Sequence, residues 1–79
     1  MKIEIISTEE IIYSDEVDIV VAPGSEGQLG ILPSHAPLIT SVKQGDVVVR
    51  NHNKEETIAI SGGFLEVLND KVTILTDSQ

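Results

Sequence analysis

The sequence predicts a single all-β domain over residues 1–79, a two-sheet antiparallel β-sandwich or flattened barrel of short strands. Three observations carry that expectation. Eleven isoleucines and nine valines against six leucines and three alanines are a β-branched bias that suits a pleated, half-buried surface. No window sustains a 3.6-residue apolar repeat, so no amphipathic helix is expected. Turn residues recur every eight to ten positions, the spacing of a sandwich rather than of alternating strands and helices. A chain of this size buries only about 60% of its unfolded surface, so its core is thin.

Ile3 and Ile5 alternate with Lys2 and Glu4, which gives a first strand with one buried face, and Ile6 breaks the alternation. Ser7-Thr8-Glu9-Glu10 resembles a helix start, but the apolar run Ile11-Ile12-Tyr13 is too short to sustain a helix before Ser14-Asp15-Glu16. A turn and a short second strand are predicted instead. Val17, Ile19 and Val21 form a third strand, ended by Pro23-Gly24.

Ala22 to Thr40 holds three of the six glycines and all three prolines, and is expected to be an ordered, irregular excursion. Its apolar residues, Leu29, Ile31, Leu32, Ala36, Leu38 and Ile39, either plug the core or face a partner. Leu38–Val42 then reads as a strand, turned by Gln44-Gly45-Asp46 into Val47–Arg50 as a hairpin. Asn51 to Lys54 closes a second hairpin onto Thr57–Ser61, with Ile58 and Ile60 inward. Gly62-Gly63 marks a bulge or change of direction before Phe64–Leu68, and Asn69-Asp70 fits a two-residue turn into Val72–Leu75.

Thirteen acidic against five basic residues give a net charge of −8, which repels a phosphate backbone and an anionic membrane surface. Nucleic acid is therefore excluded as an expected partner. There is no cysteine, hence no disulfide and no thiolate site. Ser34-His35 is the one Ser/His neighbourhood, but adjacent residues of extended chain point to opposite faces and no third member accompanies them. Two histidines seventeen positions apart lack metal-ligand spacing, and Gly24-x-x-Gly27-x-x-Gly30 lacks the Lys-Ser/Thr of a phosphate loop. The acidic group Asp15, Glu16 and Asp18 reads as a solvated edge rather than a Ca²⁺ loop. No catalytic, cofactor-binding or metal residue is expected. Binding or assembly remains, either as a subunit of a larger machine or as a free-standing ligand- or carbohydrate-binding sandwich. The second reading suffers from the absence of tryptophan, with Tyr13 and Phe64 the only aromatic residues.

Three motifs narrow the first reading: GSEGQLGILPSHAPL at Gly24–Leu38, SGGFLEV at Ser61–Val67 and KVTIL at Lys71–Leu75. Together they closely resemble the N-terminal domain of the ATP synthase epsilon subunit family, and the resemblance runs from the first strand to Thr76. Gln28 and Ser34 depart from it, standing where an acidic residue and a glycine are usual. The resemblance implies a non-catalytic rotor subunit of the F1Fo complex, with no cofactor of its own. Its partners would be the gamma subunit and the c ring, and it would brace gamma on the ring to couple ion flow to ATP synthesis. By motif, Ser7, His35 and Thr40 match positions that face gamma, and Glu26, Gly27 and Gln28 match the loop that meets the ring. The implied location is the cytoplasmic face of a bacterial inner membrane or the stromal face of a thylakoid, peripheral and through the complex only. The helical hairpin that usually follows is missing after Gln79, so its inhibitory and ATP-binding roles are not implied.

Overall fold

The computed structural model describes residues 1–77; the last two residues of the TDSQ end, where a hairpin would begin, lie outside them. The described chain is all-β. Its strands are β1 (Lys2–Ile6), β2 (Ile11–Glu16), β3 (Ile19–Gly24), β4 (Gly27–Ile31), β5 (Leu38–Val42), β6 (Gly45–Asn51), β7 (Lys54–Ile60), β8 (Gly63–Leu68) and β9 (Lys71–Thr76). Hydrogen bonds join them into one sheet in the order β2-β1-β9-β8-β5-β3-β6-β7, with β4 on the other side of β3. The sheet wraps around Ile3, Ile5, Val20, Ile31, Val47, Leu65, Val72 and Ile74, all fully buried.

Local sequence explains most of the elements. Ile3 and Ile5 are buried between half-buried Lys2 and Glu4, as period-two alternation dictates. Asn69 and Asp70 adopt φ of 52° and 61°, the paired left-handed conformations of a type I′ turn, and bring Leu68 opposite Lys71. His52, at φ 56°, lies in the loop that sets Asn51 opposite Lys54. Ile60 is buried and Ile58 packs against the core, as their phase predicts.

Four expectations are corrected. First, β1 pairs β9 in parallel, so the sheet is mixed. The first and last strands can run side by side in the same direction because the whole intervening chain serves as their crossover.

Second, the glycine- and proline-rich stretch is not irregular throughout. β3 runs through Pro23 and Gly24 and turns into β4, pairing Pro23 with Gln28 and Gly24 with Gly27. Pro23 fits because β6 leaves β3 after Val21 and β5 reaches it only at Gly24, so no residue pairs with Pro23 on that edge to need the amide proton that proline lacks. Gly24 permits the close approach: a Cβ there would lie 2.6 Å from the Gly27 carbonyl oxygen.

Third, β5 and β6 do not form a hairpin. β5 pairs β8 from Leu38↔Val67 to Val42↔Gly63, whereas β6 pairs β3 and β7. The intervening turn crosses from one part of the sheet to another, anchored where the Lys43 amide donates to the Pro23 carbonyl at 2.8 Å. Fourth, the second strand extends through Ser14-Asp15-Glu16, held in register by Lys2↔Glu16 and Glu4↔Ser14.

The sheet is weakest between β5 and β3, which share the single pair Gly24↔Val42. On the opposite side the two terminal strands of the path, β2 and β7, meet through side chains. The Tyr13 hydroxyl donates to Glu56 at 2.6 Å. Partial burial, and then the neighbouring Glu56 carboxylate, raise the Tyr13 phenol well above its usual range, so it remains a donor at any physiological pH.

Candidate protein interface

The loop from Leu32 to Pro37 is fixed by its own backbone. The His35 amide donates to the Leu32 carbonyl at 3.2 Å, and the Ser34 amide donates to Asp70 Oδ1 at 2.9 Å. Half-buried His35 turns Nδ1 toward the Ala36 carbonyl at 2.7 Å. Because a carbonyl only accepts, that ring nitrogen donates, and Nδ1 is engaged within its own loop. Ser34 has φ 66°, the left-handed region in which a Cβ costs about 1 kcal/mol or more. A glycine would relieve that cost but lose more chain entropy on folding. The Asp70 contact is to the backbone and survives the change, so Ser34→Gly is expected to stabilise the domain by about 0.5 kcal/mol. A urea unfolding midpoint that stays level or falls would contradict this.

Ser7 is buried, and its hydroxyl organises the β1–β2 turn. It accepts from the amides of Glu9 at 3.3 Å and Glu10 at 3.2 Å, and donates to the Glu10 carbonyl at 3.3 Å. Glu26 occupies the β3–β4 turn, with Gly27, at φ 136°, and Gln28 opening β4, all three exposed. They share a groove of about 300 Å³ with Thr40 and Ser41 of β5. Ser25, also lining the groove, is bonded across it to β5, its amide donating to the Ser41 carbonyl at 3.2 Å and the two hydroxyls bonded to each other.

The structure therefore brings Thr40 beside Glu26–Gln28 and not beside Ser7 or His35. His35 precedes the start of β5, and Ser7 follows Ile6, whose neighbour Leu75 lies near the end of β9. The acidic residues near Val17 also part company. Asp15 accepts from the Glu16 amide, Asp18 accepts from the His52 amide, and Glu16 lies 3.5 Å from the Met1 amine. No metal-holding group of three or more His, Cys, Asp or Glu occurs among the described residues.

One surface was not singled out in the sequence. On the outward face of β2, β1, β9, β8 and β5, register aligns Ile11, Ile6, Leu75, Phe64 and Ser41 in one row. The adjacent row is Ser14, Glu4, Thr73, Glu66 and Ile39. Ile11 (59%), Leu75 (54%), Phe64 (60%) and Ile39 (73%) are exposed, and Ile6, the residue that breaks the first alternation, is half-buried among them. The available signal was phase. Phe64 and Leu75 occupy outward positions, two residues from Glu66 and Thr73, where a solvated face would carry polar side chains.

The chain matches the model of the ATP synthase delta/epsilon chain β-sandwich domain over residues 1–79. It belongs to that family. The epsilon chain of Desulforamulus reducens is 46% identical over 77 residues, 98% of this chain and 58% of the relative. That of Carboxydothermus hydrogenoformans is 49% identical over 78 residues, 99% and 58% of the respective chains. Among solved structures, a chain of the Euglena gracilis mitochondrial ATP synthase, in an assembly of OSCP, F1 and c-ring, aligns with TM-score 0.86 at 26% identity. That alignment covers 94% of this chain and 48% of the Euglena chain. This delta/epsilon-type chain thus spans a little over half the length of the curated relatives it matches.

Proposed function

We propose that this chain is the β-sandwich domain of a non-catalytic rotor subunit of an F-type ATP synthase, bracing the gamma subunit on the c ring and coupling ion translocation to ATP synthesis. The observation that carries the reading is similarity to epsilon chains at 46–49% identity over nearly all of this sequence. The sheet is read as two layers, β2-β1-β9-β8-β5 over β4-β3-β6-β7, hinged at Gly24↔Val42 and latched by Tyr13 and Glu56. The location follows from assembly: peripheral, at the cytoplasmic face of a bacterial inner membrane or the thylakoid stromal face.

His35 and Thr40 are assigned to the gamma contact, with Ser7 acting through the shape of its turn because its hydroxyl is already engaged. Glu26, Gly27 and Gln28, exposed at the hairpin tip, are assigned to the ring. His35→Asp is expected to weaken gamma binding by about 1–2 kcal/mol, since it places a carboxylate at a half-buried position. Gln28→Ala leaves gamma binding intact and loosens coupling between ion flow and ATP turnover in the assembled enzyme. Gamma affinity and ion pumping, measured together on both folded variants, check the assignment. Loss of gamma binding by Gln28→Ala, with His35→Asp unchanged, would show the two contacts to be interchanged.

A further inference from the structure

Two side-chain-bearing residues held in the left-handed region meet in one hydrogen bond. Ser34 of the Leu32 to Pro37 loop and Asp70 of the β8–β9 turn have φ of 66° and 61°. The Ser34 amide donates to Asp70 Oδ1 at 2.9 Å, across 36 positions of sequence. Among the described residues this is the one hydrogen bond that joins residues 33–36 to another element, because the bonds of His35, to Leu32 and Ala36, stay within the loop. Burial does not fix the loop, since all of it is exposed apart from half-buried His35. Pro33 and Pro37 stiffen its shape but do not decide where it sits on the sheet. Asp70 is itself anchored: its carbonyl accepts from the Lys2 amide at 3.2 Å, and its turn sets Leu68 opposite Lys71. Its other carboxylate oxygen lies 3.8 Å from the Met1 amine, while Oδ1 serves the loop.

We infer that Asp70 is a positioning residue: its carboxylate fixes the Leu32 to Pro37 loop on the domain and so holds His35 in place for the gamma contact. The inference rests on the rotor-subunit reading and deepens it, because Asp70 is assigned no contact of its own and acts through the Ser34 amide. An amide bonded to a carboxylate makes one of the stronger hydrogen bonds of a protein. A left-handed residue other than glycine persists where its surroundings over-determine it, and at Ser34 the Asp70 oxygen is that surrounding. Without it the serine is free to relax to negative φ, which redirects the chain at His35. The bonds of His35 cannot substitute, because they set its amide against Leu32 and its ring against Ala36, not the loop against β8 and β9. A loop already in place loses less freedom when a partner covers it, so the clamp converts into affinity.

The test compares the 79-residue wild type with Asp70→Gly, Asp70→Asn and the neighbouring control Asn69→Gly. Asp70→Gly removes the carboxylate yet suits the turn, because Asn followed by Gly is a preferred type I′ pair, so its urea midpoint is expected to stay close to that of wild type. Hydrogen exchange of the His35 amide is expected to quicken about tenfold or more in this variant, with the amides of β8 and β9 unchanged. Asp70→Asn keeps an accepting oxygen and is expected to hold exchange within about threefold of wild type, as is Asn69→Gly. Gamma affinity is expected to fall about three- to tenfold in Asp70→Gly, to recover in Asp70→Asn, and to change by no more than about twofold when Asp70→Gly is added to His35→Ala. Unchanged His35 exchange in Asp70→Gly overturns the inference. So does a loosened loop with wild-type gamma affinity, or a loss that adds in full to that of His35→Ala. A urea midpoint that falls in step with gamma affinity in both Asp70 variants also overturns it, by reducing Asp70 to a stability residue. Failure of wild type to bind gamma overturns the rotor reading and the purpose given to the clamp, while the exchange data still decide whether the clamp exists.

Discussion

Gly63→Ala is expected to destabilise the domain by about 3–5 kcal/mol, the largest effect of any glycine-to-alanine change in the chain. Two independent causes add at this residue. Its φ of 139° lies in a region that side-chain-bearing residues rarely enter, at a cost of about 1–3 kcal/mol. A Cβ built there would also lie 1.8 Å from the Leu75 carbonyl oxygen, far inside contact distance. Neither obstacle is a flexible side chain. Relief requires β8 to separate from β9 where Gly63 pairs with Thr76. Gly30→Ala is the matched control, because nothing lies within 4 Å of its added Cβ, and it should shift stability by no more than about 1 kcal/mol. Urea unfolding of both variants decides the matter, and equal midpoints would refute the argument.

Ile74→Ala comes next, at about 2–5 kcal/mol. Ile74 is fully buried and stands between Ile5 of β1 and Leu65 of β8, both also at 0% exposure. Truncation leaves a void lined by strands whose positions are fixed by hydrogen bonds on both sides, so the site collapses poorly. A domain of this length commands only about 4–12 kcal/mol in all, and the variant therefore loses a large share of its stability. The expected drop in melting temperature is about 10 °C or more. Leu75→Ala, one residue along but outward and 54% exposed, should melt within a few degrees of wild type. A similar loss in both variants would mean that the outward row also supports the fold.

The contrast between these neighbours shows how far the chain alone could be read. Period-two alternation and β-branching determined the class, most strands and the inward face of β1 and β7, because side-chain direction in a strand is a local property; in β3 alternation gave the wrong phase, since Val20 and Ala22 are buried and Ile19 and Val21 only half-buried. Asn69-Asp70 and Gly62-Gly63 were legible for the same reason: backbone conformation at a turn depends on the residues in it. The motifs carried the family. What alternation could not supply was partnership. Whether β5 pairs β6 or β8, and whether β1 runs parallel to β9, depends on contacts between residues as distant as Ile3 and Val72, which no local preference encodes. The exposed row was hidden likewise, since Ile11, Ile6, Leu75 and Phe64 come from four separate strands and become a surface only when register aligns them. The tertiary structure alone decided that these residues are neighbours, because strand pairing turns positions far apart in sequence into adjacent points about 5 Å apart on one face.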